Sequence, residues 1–200
     1  MVALTWMSGT LISFCLMALG ARELSGEIPV FQTLFFRSAI GLVLISSLIL
    51  LLDKKQVFRS ERGALHTFRN TFHFFGQYGW FVGIGLLPLA EVFALEFTVP
   101  IWTAIIASLF LGERMTPRKA ISIFLGMLGV VVIVRPGIEI IDAASLIVLG
   151  AAICYAISYT TTKSLASTES PLTILFYMCL VQLPVSLLLS LSVWVWPEGI

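Results

Sequence analysis

Residues 87–137 read LPLAEVFALEFTVPIWTAIIASLFLGERMTPRKAISIFLGMLGVVVIVRPG. Two largely apolar segments lie in this stretch, residues 89–111 and residues 118–134, and the sequence between them is Gly-Glu-Arg-Met-Thr-Pro. Each segment has about the length, roughly 20 residues, that an α-helix needs to cross the core of a bilayer. The connecting turn is too polar to lie in lipid. The stretch therefore predicts two membrane-spanning helices joined by a short polar turn.

The composition of the whole chain agrees with a membrane protein. Of its 200 residues, 58% are hydrophobic and 12% are charged, whereas a soluble domain has about 25% charged residues. The mean hydropathy is +1.02. The net charge is +1 and the basic residues lie in short loops, which does not indicate a surface that binds nucleic acid. We predict an all-α, polytopic helix bundle in the lipid bilayer that has no nucleic-acid partner.

The cysteines do not indicate a disulfide framework or a metal site. Cys15, Cys154 and Cys179 all lie in apolar segments, and no Cys/His spacing typical of metal ligands occurs. We interpret them as packing residues and expect neither a metal ion nor a cofactor. The first apolar segment lacks the basic start of a signal peptide and is followed by further spans, so we expect it to be a retained helix.

Hydropathy predicts seven spans, and the loops between them predict the orientation. The spans are residues 2–20, 29–52, 66–87, 89–111, 118–135, 143–162 and 171–194. The loops after the second, fourth and sixth spans hold eight basic residues, whereas those after the first and fifth hold only Arg22 and Arg135. Because basic residues favour the cytoplasmic side, we predict a cytoplasmic N-terminus and an external residue 200. Trp194 and Trp196 are typical of an aromatic anchor at the outer interface.

Two parts of the chain resemble each other. Residues 12–36 (ISFCLMALGARELSGEIPVFQTLFF) match residues 153–177 (ICYAISYTTTKSLASTESPLTILFY) at an offset of about 141, with Pro29 facing Pro171 after a one-residue slip. Two generic apolar helices could also produce this match. Since five spans precede the second copy, it would enter the membrane upside down. Inverted repeats are common in secondary transporters, whose substrate site lies between the two halves.

The quoted stretch also resembles a known family. Leu111-Gly112-Glu113 with Arg114, and Val134-Arg135-Pro136-Gly137, are similar to the EamA-type branch of the drug/metabolite transporter superfamily. Two further segments share the resemblance, PVFQTLFFRSAIGLVLI at residues 29–45 and RGALHTFRNTFHFF at residues 62–75.

The resemblance implies ten helices in two inverted five-helix repeats, with cytoplasmic termini, in the cell (inner) membrane. It also implies transport of small metabolites or drugs through a central cavity. On this comparison residues 1–137 form the first repeat and residues 143–200 begin a second, of which two helices are present. We therefore expect the chain to stop about three spans short of a complete second repeat.

Ionisable side chains inside the spans are the first candidates for function, because each costs roughly 2.5–3.5 kcal/mol in lipid and normally faces a cavity or the bundle interior. Arg37 and Glu96 both lie about 10 to 12 Å below the outer surface, at 1.5 Å per residue. Equal depth and opposite charge predict a pair, either one that a substrate or proton breaks or a permanent structural ion pair. Pro100 cannot donate to the Glu96 carbonyl, which leaves a candidate cation site there.

The third span has a polar face and a glycine face. Residues three or four positions apart share one side of a helix. The polar face is formed by Arg69, Asn70, His73, Gln77 and Trp80. It indicates the lining of a cavity, with hydrogen bonds between helices as the alternative and with Arg69 able to extend to the headgroups instead. Gly76, Gly79 and Gly83 predict the close approach of a neighbouring helix.

Three further residues allow two interpretations each. Trp102 and Tyr155 lie near the middle of their spans, where they either line the cavity or pack in the core. Glu91 begins the fourth span, where a carboxylate is favoured by the helix dipole, and binding is the alternative. Glu113 in the polar turn is interpreted as structural.

We conclude from the sequence that the chain is a secondary transporter working by alternating access, with a small-molecule substrate and no enzymatic residues. The expected substrate-binding residues are Arg37, Asn70, His73, Gln77, Glu96, Trp102 and Tyr155. Glu96 and His73 would couple movement to protons, and Arg37 would bind an anionic group of the substrate. The alternatives are a seven-span receptor, an intramembrane enzyme or an inactive transporter fragment, and a homodimer is left open.

Overall fold

A computed structural model describes residues 2–113, 115–134 and 143–196, with only the backbone described at residues 2, 3, 133 and 134. Arg114 and Arg135–Gly137 of the sequence motifs lie outside the described residues. The described chain contains eight α-helices and no strand. They are α1 (Val2–Leu24), α2 (Val30–Leu51), α3 (Gly63–Leu86), α4 (Leu89–Glu96), α5 (Val99–Leu111), α6 (Pro117–Val134), α7 (Ala143–Leu165) and α8 (Pro171–Ser190). Two short 3₁₀ helices, Lys55–Phe58 and Leu191–Val193, follow α2 and α8.

Five segments of the described chain are long and apolar enough to cross a membrane. They are Leu4–Leu24, Val30–Leu51, Leu89–Leu111, Ala143–Leu165 and Pro171–Val193. Helix α3 is not among them, because its polar face lowers its mean hydropathy, and that face is buried against other helices. The prediction of an all-α polytopic membrane protein is confirmed.

The fourth predicted span is two helices rather than one. Helix α4 ends at Glu96 and α5 begins at Val99, with Phe97 and Thr98 forming a turn between them. The physical cause is Pro100 in the first turn of α5, which has no N–H to continue the ladder back to the Glu96 carbonyl. The hydropathy pattern did not indicate this interruption, because both halves belong to one apolar segment long enough to cross a membrane. The break lies beside a half-buried carboxylate.

Helix α3 is the centre of the bundle. It packs most extensively against α7 and also contacts α1, α2, α4 and α8. The predicted close approach at the glycine face is confirmed: a Cβ on Gly79 would lie 2.9 Å from the Ala151 Cβ, and one on Gly76 would lie 3.0 Å from the Tyr155 ring. The glycines therefore bring the backbones of α3 and α7 together in the core.

The connections α1–α2 and α7–α8 have the same local structure. The amides of Glu27 and Ile28 donate to the Leu24 carbonyl at 3.2 and 3.1 Å, and those of Thr168 and Glu169 donate to the Leu165 carbonyl at 3.0 and 2.8 Å. Pro29 and Ser170 both occupy N-cap positions, at a constant offset of 141 residues. The expected one-residue slip is therefore wrong, since the two turns have equal length.

The two equivalent connections lie at opposite ends of the bundle. Arg22, beside the first connection, donates to the carbonyl of Leu87 just beyond the end of α3, at 2.6 Å. Arg62, at the start of α3, donates to Thr168 in the second connection at 3.1 Å. Helix pair α7–α8 is therefore inverted relative to α1–α2.

Candidate site in the helix bundle

His73 and Asn70 on α3 are tied to α8 by one amide side chain. The Gln182 Nε2 atom lies 3.0 Å from His73 Nδ1 and 3.4 Å from the Asn70 carbonyl. The Asn70 side chain in turn donates to the Tyr177 carbonyl at 3.1 Å. Asn70, His73 and Gln182 are 0%, 8% and 2% exposed. These bonds make a polar contact between α3 and α8 inside an apolar bundle.

Arg69 extends this polar contact to α7. Its Nε atom donates to Thr162 Oγ1 at 3.0 Å, and its Nη1 atom donates to Asn70 Oδ1 at 2.6 Å. The residue is buried. The alternative that Arg69 extends to the headgroups is wrong, because the hydroxyl and amide oxygens satisfy its guanidinium inside the bundle. Hydrogen bonds between helices thus account for one end of the polar face of α3.

Glu96 is bound by a tryptophan rather than by Arg37. The Trp80 Nε1 atom donates to Glu96 Oε2 at 2.8 Å, and Trp80 is fully buried. The predicted Arg37–Glu96 pair is wrong, because equal depth does not fix the direction in which a helix faces. Helix α2 packs against α8, whereas α4 packs against α6 and α7. The carboxylate therefore lies at the α3–α4 contact, beside the helix break.

Two tyrosine rings of α7 extend from His73. The rings of His73 and Tyr155 meet edge to face with centroids 5.5 Å apart, and Tyr155 stacks on Tyr159 at 5.8 Å. Tyr155 therefore places an aromatic ring beside His73, whose other partner is Gln182.

Two predicted site residues have polar atoms without a partner in the described chain. Gln77 is 3% exposed, and its amide makes no hydrogen bond to the described residues. The Trp102 Nε1 atom is buried and also lacks a partner there. A ligand or water inside the bundle could bind the Trp102 donor, since buried polar groups are rarely left unpaired.

Arg37 lies apart from the α3 cluster, at a groove between α2 and α8. The groove has a volume of about 340 Å³, and its polar end is formed by Arg37, Ser38 and Gln182. Gln182 therefore contacts both the groove and His73. The seven predicted residues thus fall into a cluster on α3 and α7, a carboxylate at the helix break, a tryptophan on α5 and a cation at the α2–α8 groove.

Gln182 is the contact residue that sequence reasoning missed. It lies in the most uniformly apolar part of α8, two residues before Pro184. An amide in such a segment needs a hydrogen-bond partner inside the bundle, as Asn70 and Gln77 on α3 do. Gln182 could have been found by examining the polar side chains of every span, and not the charged side chains first.

Glu91 and Glu113, which the sequence favours as structural residues, have hydrogen-bond partners outside the cluster on α3 and α7. Glu91 lies in the first turn of α4 and accepts from Ser145 Oγ on α7 at 2.8 Å. Glu113, in the turn after α5, accepts from Lys163 and also from Lys119, the latter at 2.9 Å. These bonds lower the pKa of Glu113 to about 2. In the described residues, no three His, Cys, Asp or Glu side chains are placed to share a metal ion.

Comparison with known proteins gives consistent matches. The model of the EamA-like transporter family matches residues 1–135. An S-adenosylmethionine uptake transporter of Rickettsia felis is 27% identical over 194 residues, covering 97% of this chain and 66% of that protein. A riboflavin transporter of Brucella anthropi is 30% identical over 165 residues, covering 82% of this chain and 58% of that protein. The chain thus spans 66% of the length of the first of these relatives.

A solved structure supports the fold alone. It matches with a TM-score of 0.68 at 19% identity, over 94% of this chain and 66% of the solved one.

Proposed function

Because this chain belongs to the EamA-like transporter family, a family of transporters rather than enzymes, we propose that it moves a small metabolite across the cell membrane by alternating access. The observation that carries the proposal is the buried polar face of α3, which lies in the middle of an apolar, multi-pass bundle. A protein that acts only in water has no need of a polar helix face inside a membrane. A transporter needs it, because a polar substrate must be bound where lipid would exclude it.

The broken helix α4–α5 supports the same proposal. Secondary transporters bind their substrate near the bilayer midplane, where interrupted helices expose backbone groups. Here the interruption follows directly after Glu96, whose carboxylate is bound to Trp80. A carboxylate and a carbonyl at one helix break can exchange a proton or bind a cationic group of a substrate.

We assign proton coupling to Glu96 and His73. Both are titratable side chains inside the bundle, and each is held by a neutral partner rather than by an opposite charge. A neutral partner tolerates both the protonated and the ionised form, which a fixed ion pair would not. Arg37 lies apart from these two groups, at the α2–α8 groove, so its binding of an anionic part of the substrate stays a prediction.

The names of the relatives give the first substrates to test. S-adenosylmethionine and riboflavin both carry flat heteroaromatic rings, and the Tyr155, Tyr159 and His73 rings offer aromatic contacts near the polar face of α3. We propose uptake of a metabolite of this size and ring chemistry. The receptor and enzyme alternatives have no comparable support from the residues in contact.

The test is uptake of labelled S-adenosylmethionine and riboflavin into sealed vesicles that contain the protein made from its own gene. Under an inward proton gradient we expect Glu96→Gln and His73→Ala to lower uptake by roughly tenfold or more, the effect of losing one charge-assisted interaction. The control is Glu91→Gln, which removes a carboxylate that binds Ser145 instead. Uptake that is unchanged in Glu96→Gln and His73→Ala would contradict the coupling assignment.

A further inference from the structure

The groove between α2 and α8 is apolar along most of its length and charged at one end. Gly41, Leu44, Ile45 and Leu48 of α2 form one wall. Leu175, Met178 and Cys179 of α8 form the other. The helices touch at its floor, where a Cβ on Gly41 would lie 2.9 Å from Cys179 Sγ. Leu44 is 65% exposed and Leu175 is 45% exposed, so the groove opens on the outer surface of the described bundle.

Arg37 gives this groove a chemical preference. Within the described chain its guanidinium has no hydrogen-bond or ion-pair partner, although the side chain is half-buried at the end of the groove. Arg37 is the eighth residue of α2, which places it about 10 Å along that helix at 1.5 Å per residue. An arginine at this depth normally pairs with another group, because the bilayer offers none. Among the described residues, the Arg37 guanidinium is therefore free to pair with an anion at the groove.

The shape of the groove limits which anion can bind. Its volume of about 340 Å³ is equivalent to roughly 11 water molecules at about 30 Å³ each. That space suits one short alkyl chain or one small apolar body. The planar guanidinium of arginine matches a carboxylate through two parallel hydrogen bonds. The Ser38 hydroxyl lies at the same end of the groove and can donate a further one.

We propose that the α2–α8 groove binds a single-chain amphipathic carboxylate, with the carboxylate on Arg37 and Ser38 and the apolar chain along Gly41–Leu48. This goes beyond the proposed function, because the groove lies on the surface of the described bundle and binding there requires no transport. A two-chain phospholipid is a poorer fit for the volume.

The experiment measures binding of labelled decanoate to the protein in nanodiscs of uncharged phosphatidylcholine, with empty nanodiscs as the blank. We expect saturable binding of decanoate and at least tenfold weaker binding of decanol and decyltrimethylammonium. Arg37→Gln should weaken decanoate binding by about tenfold or more. Leu44→Trp should weaken it also, by filling the groove while leaving the cation in place.

Two matched variants test the location. Arg59→Gln removes an exposed arginine outside the groove, and Leu50→Trp enlarges an exposed leucine of α2 that does not line it. Both should bind decanoate like the unmodified protein. Binding that is equal in Arg37→Gln and the unmodified protein would overturn the proposal.

A second outcome also overturns it. If phosphatidylglycerol in the nanodisc displaces decanoate, and this displacement needs Arg37, the groove belongs to a lipid headgroup instead. The measurement uses no gradient and no sealed compartment. A failure of S-adenosylmethionine and riboflavin uptake would therefore leave the decanoate result intact, and the two proposals can fail separately.

Discussion

At the scale of single residues, Glu113 shows how a charged turn is fixed to the bundle. Its carboxylate accepts from Lys119 at the start of α6 and from Lys163 at the end of α7. The turn that separates α5 from α6 is thereby held against the last turn of α7. The residue was interpreted from the sequence as structural, and its contacts agree with that interpretation.

This contact predicts a pH dependence of stability. The two lysines hold the pKa of Glu113 at about 2, below the ordinary value of 4.5. The ionised form is thus favoured in the folded state, so its stabilising effect is complete above pH 4.5 and is lost as the pH falls towards 2. We expect the melting temperature of Glu113→Gln to lie below that of the unmodified protein at pH 7, with the gap closing in this window.

The control for this pH effect is Glu61→Gln, since Glu61 is exposed and has no ion pair in the described chain. Its melting temperature should follow the unmodified protein at every pH. High salt should reduce the difference in melting temperature between Glu113→Gln and the unmodified protein, because surface ion pairs are screened. A gap that is constant from pH 7 to pH 2.5 would contradict the role of the ionised carboxylate.

Residue types in the site could be predicted from the sequence, but their partners could not. The cost of polar groups in lipid selects Asn70, His73 and Gln77 and requires that they face inward, and all three are buried. The pairing of Arg37 with Glu96 was wrong because depth along two helices says nothing about which faces meet. Gln182, the partner of His73, lies 109 residues away along the chain.

At the scale of helices, the α3–α7 contact depends on glycine. A Cβ on Gly79 would lie 2.9 Å from the Ala151 Cβ and 3.2 Å from the Ile147 carbonyl oxygen. The second of these is backbone and cannot rotate away. The spacing of Gly76, Gly79 and Gly83 along one face of α3 was sufficient to predict this close approach.

The contact predicts opposite effects of one substitution at two glycines. Gly79→Ala should destabilise the bundle by about 1 to 3 kcal/mol through overpacking. Gly129→Ala on α6 meets no atom within 4 Å and should stabilise that helix by about 0.5 to 1 kcal/mol. Thermal unfolding in a fixed detergent measures both, and equal melting temperatures for the two variants would contradict the packing described here.

The break between α4 and α5 is a feature of a helix that hydropathy alone did not predict. Residues 89–111 form one apolar segment by composition, and length alone predicts one helix. Pro100 identified the carbonyl that would be freed, because the rule for proline is local. The ends of the two helices at Glu96 and Val99 are seen only in the structure, where both halves also pack against α7.

At the scale of the whole molecule, the inverted relation of α1–α2 and α7–α8 follows from their positions in the chain. An odd number of spans before the second copy predicted it, and the contacts at the two ends of α3 agree. The alignment placed the slip wrongly because it matched two prolines. The turns themselves match without a gap.

The orientation of the bundle remains a prediction from loop charge. If the N-terminus is cytoplasmic, the exposed residue Glu27 lies outside the cell and the exposed residue Gln56 lies inside. An impermeant maleimide applied to intact cells should then label Glu27→Cys and not Gln56→Cys, above the level of the protein with its native cysteines. In permeabilised cells the maleimide should label both variants. Labelling of Gln56→Cys alone in intact cells would show that the orientation is the opposite of the predicted one.

The central claim is that this bundle carries a small metabolite by alternating access, and counterflow tests it most directly. Vesicles containing the protein made from its own gene are loaded with unlabelled S-adenosylmethionine or riboflavin, and entry of the same labelled compound is followed over time. We predict a transient overshoot in loaded vesicles that is absent from empty ones and from protein-free ones. Identical time courses in loaded, empty and protein-free vesicles for both compounds would contradict the claim for this substrate chemistry.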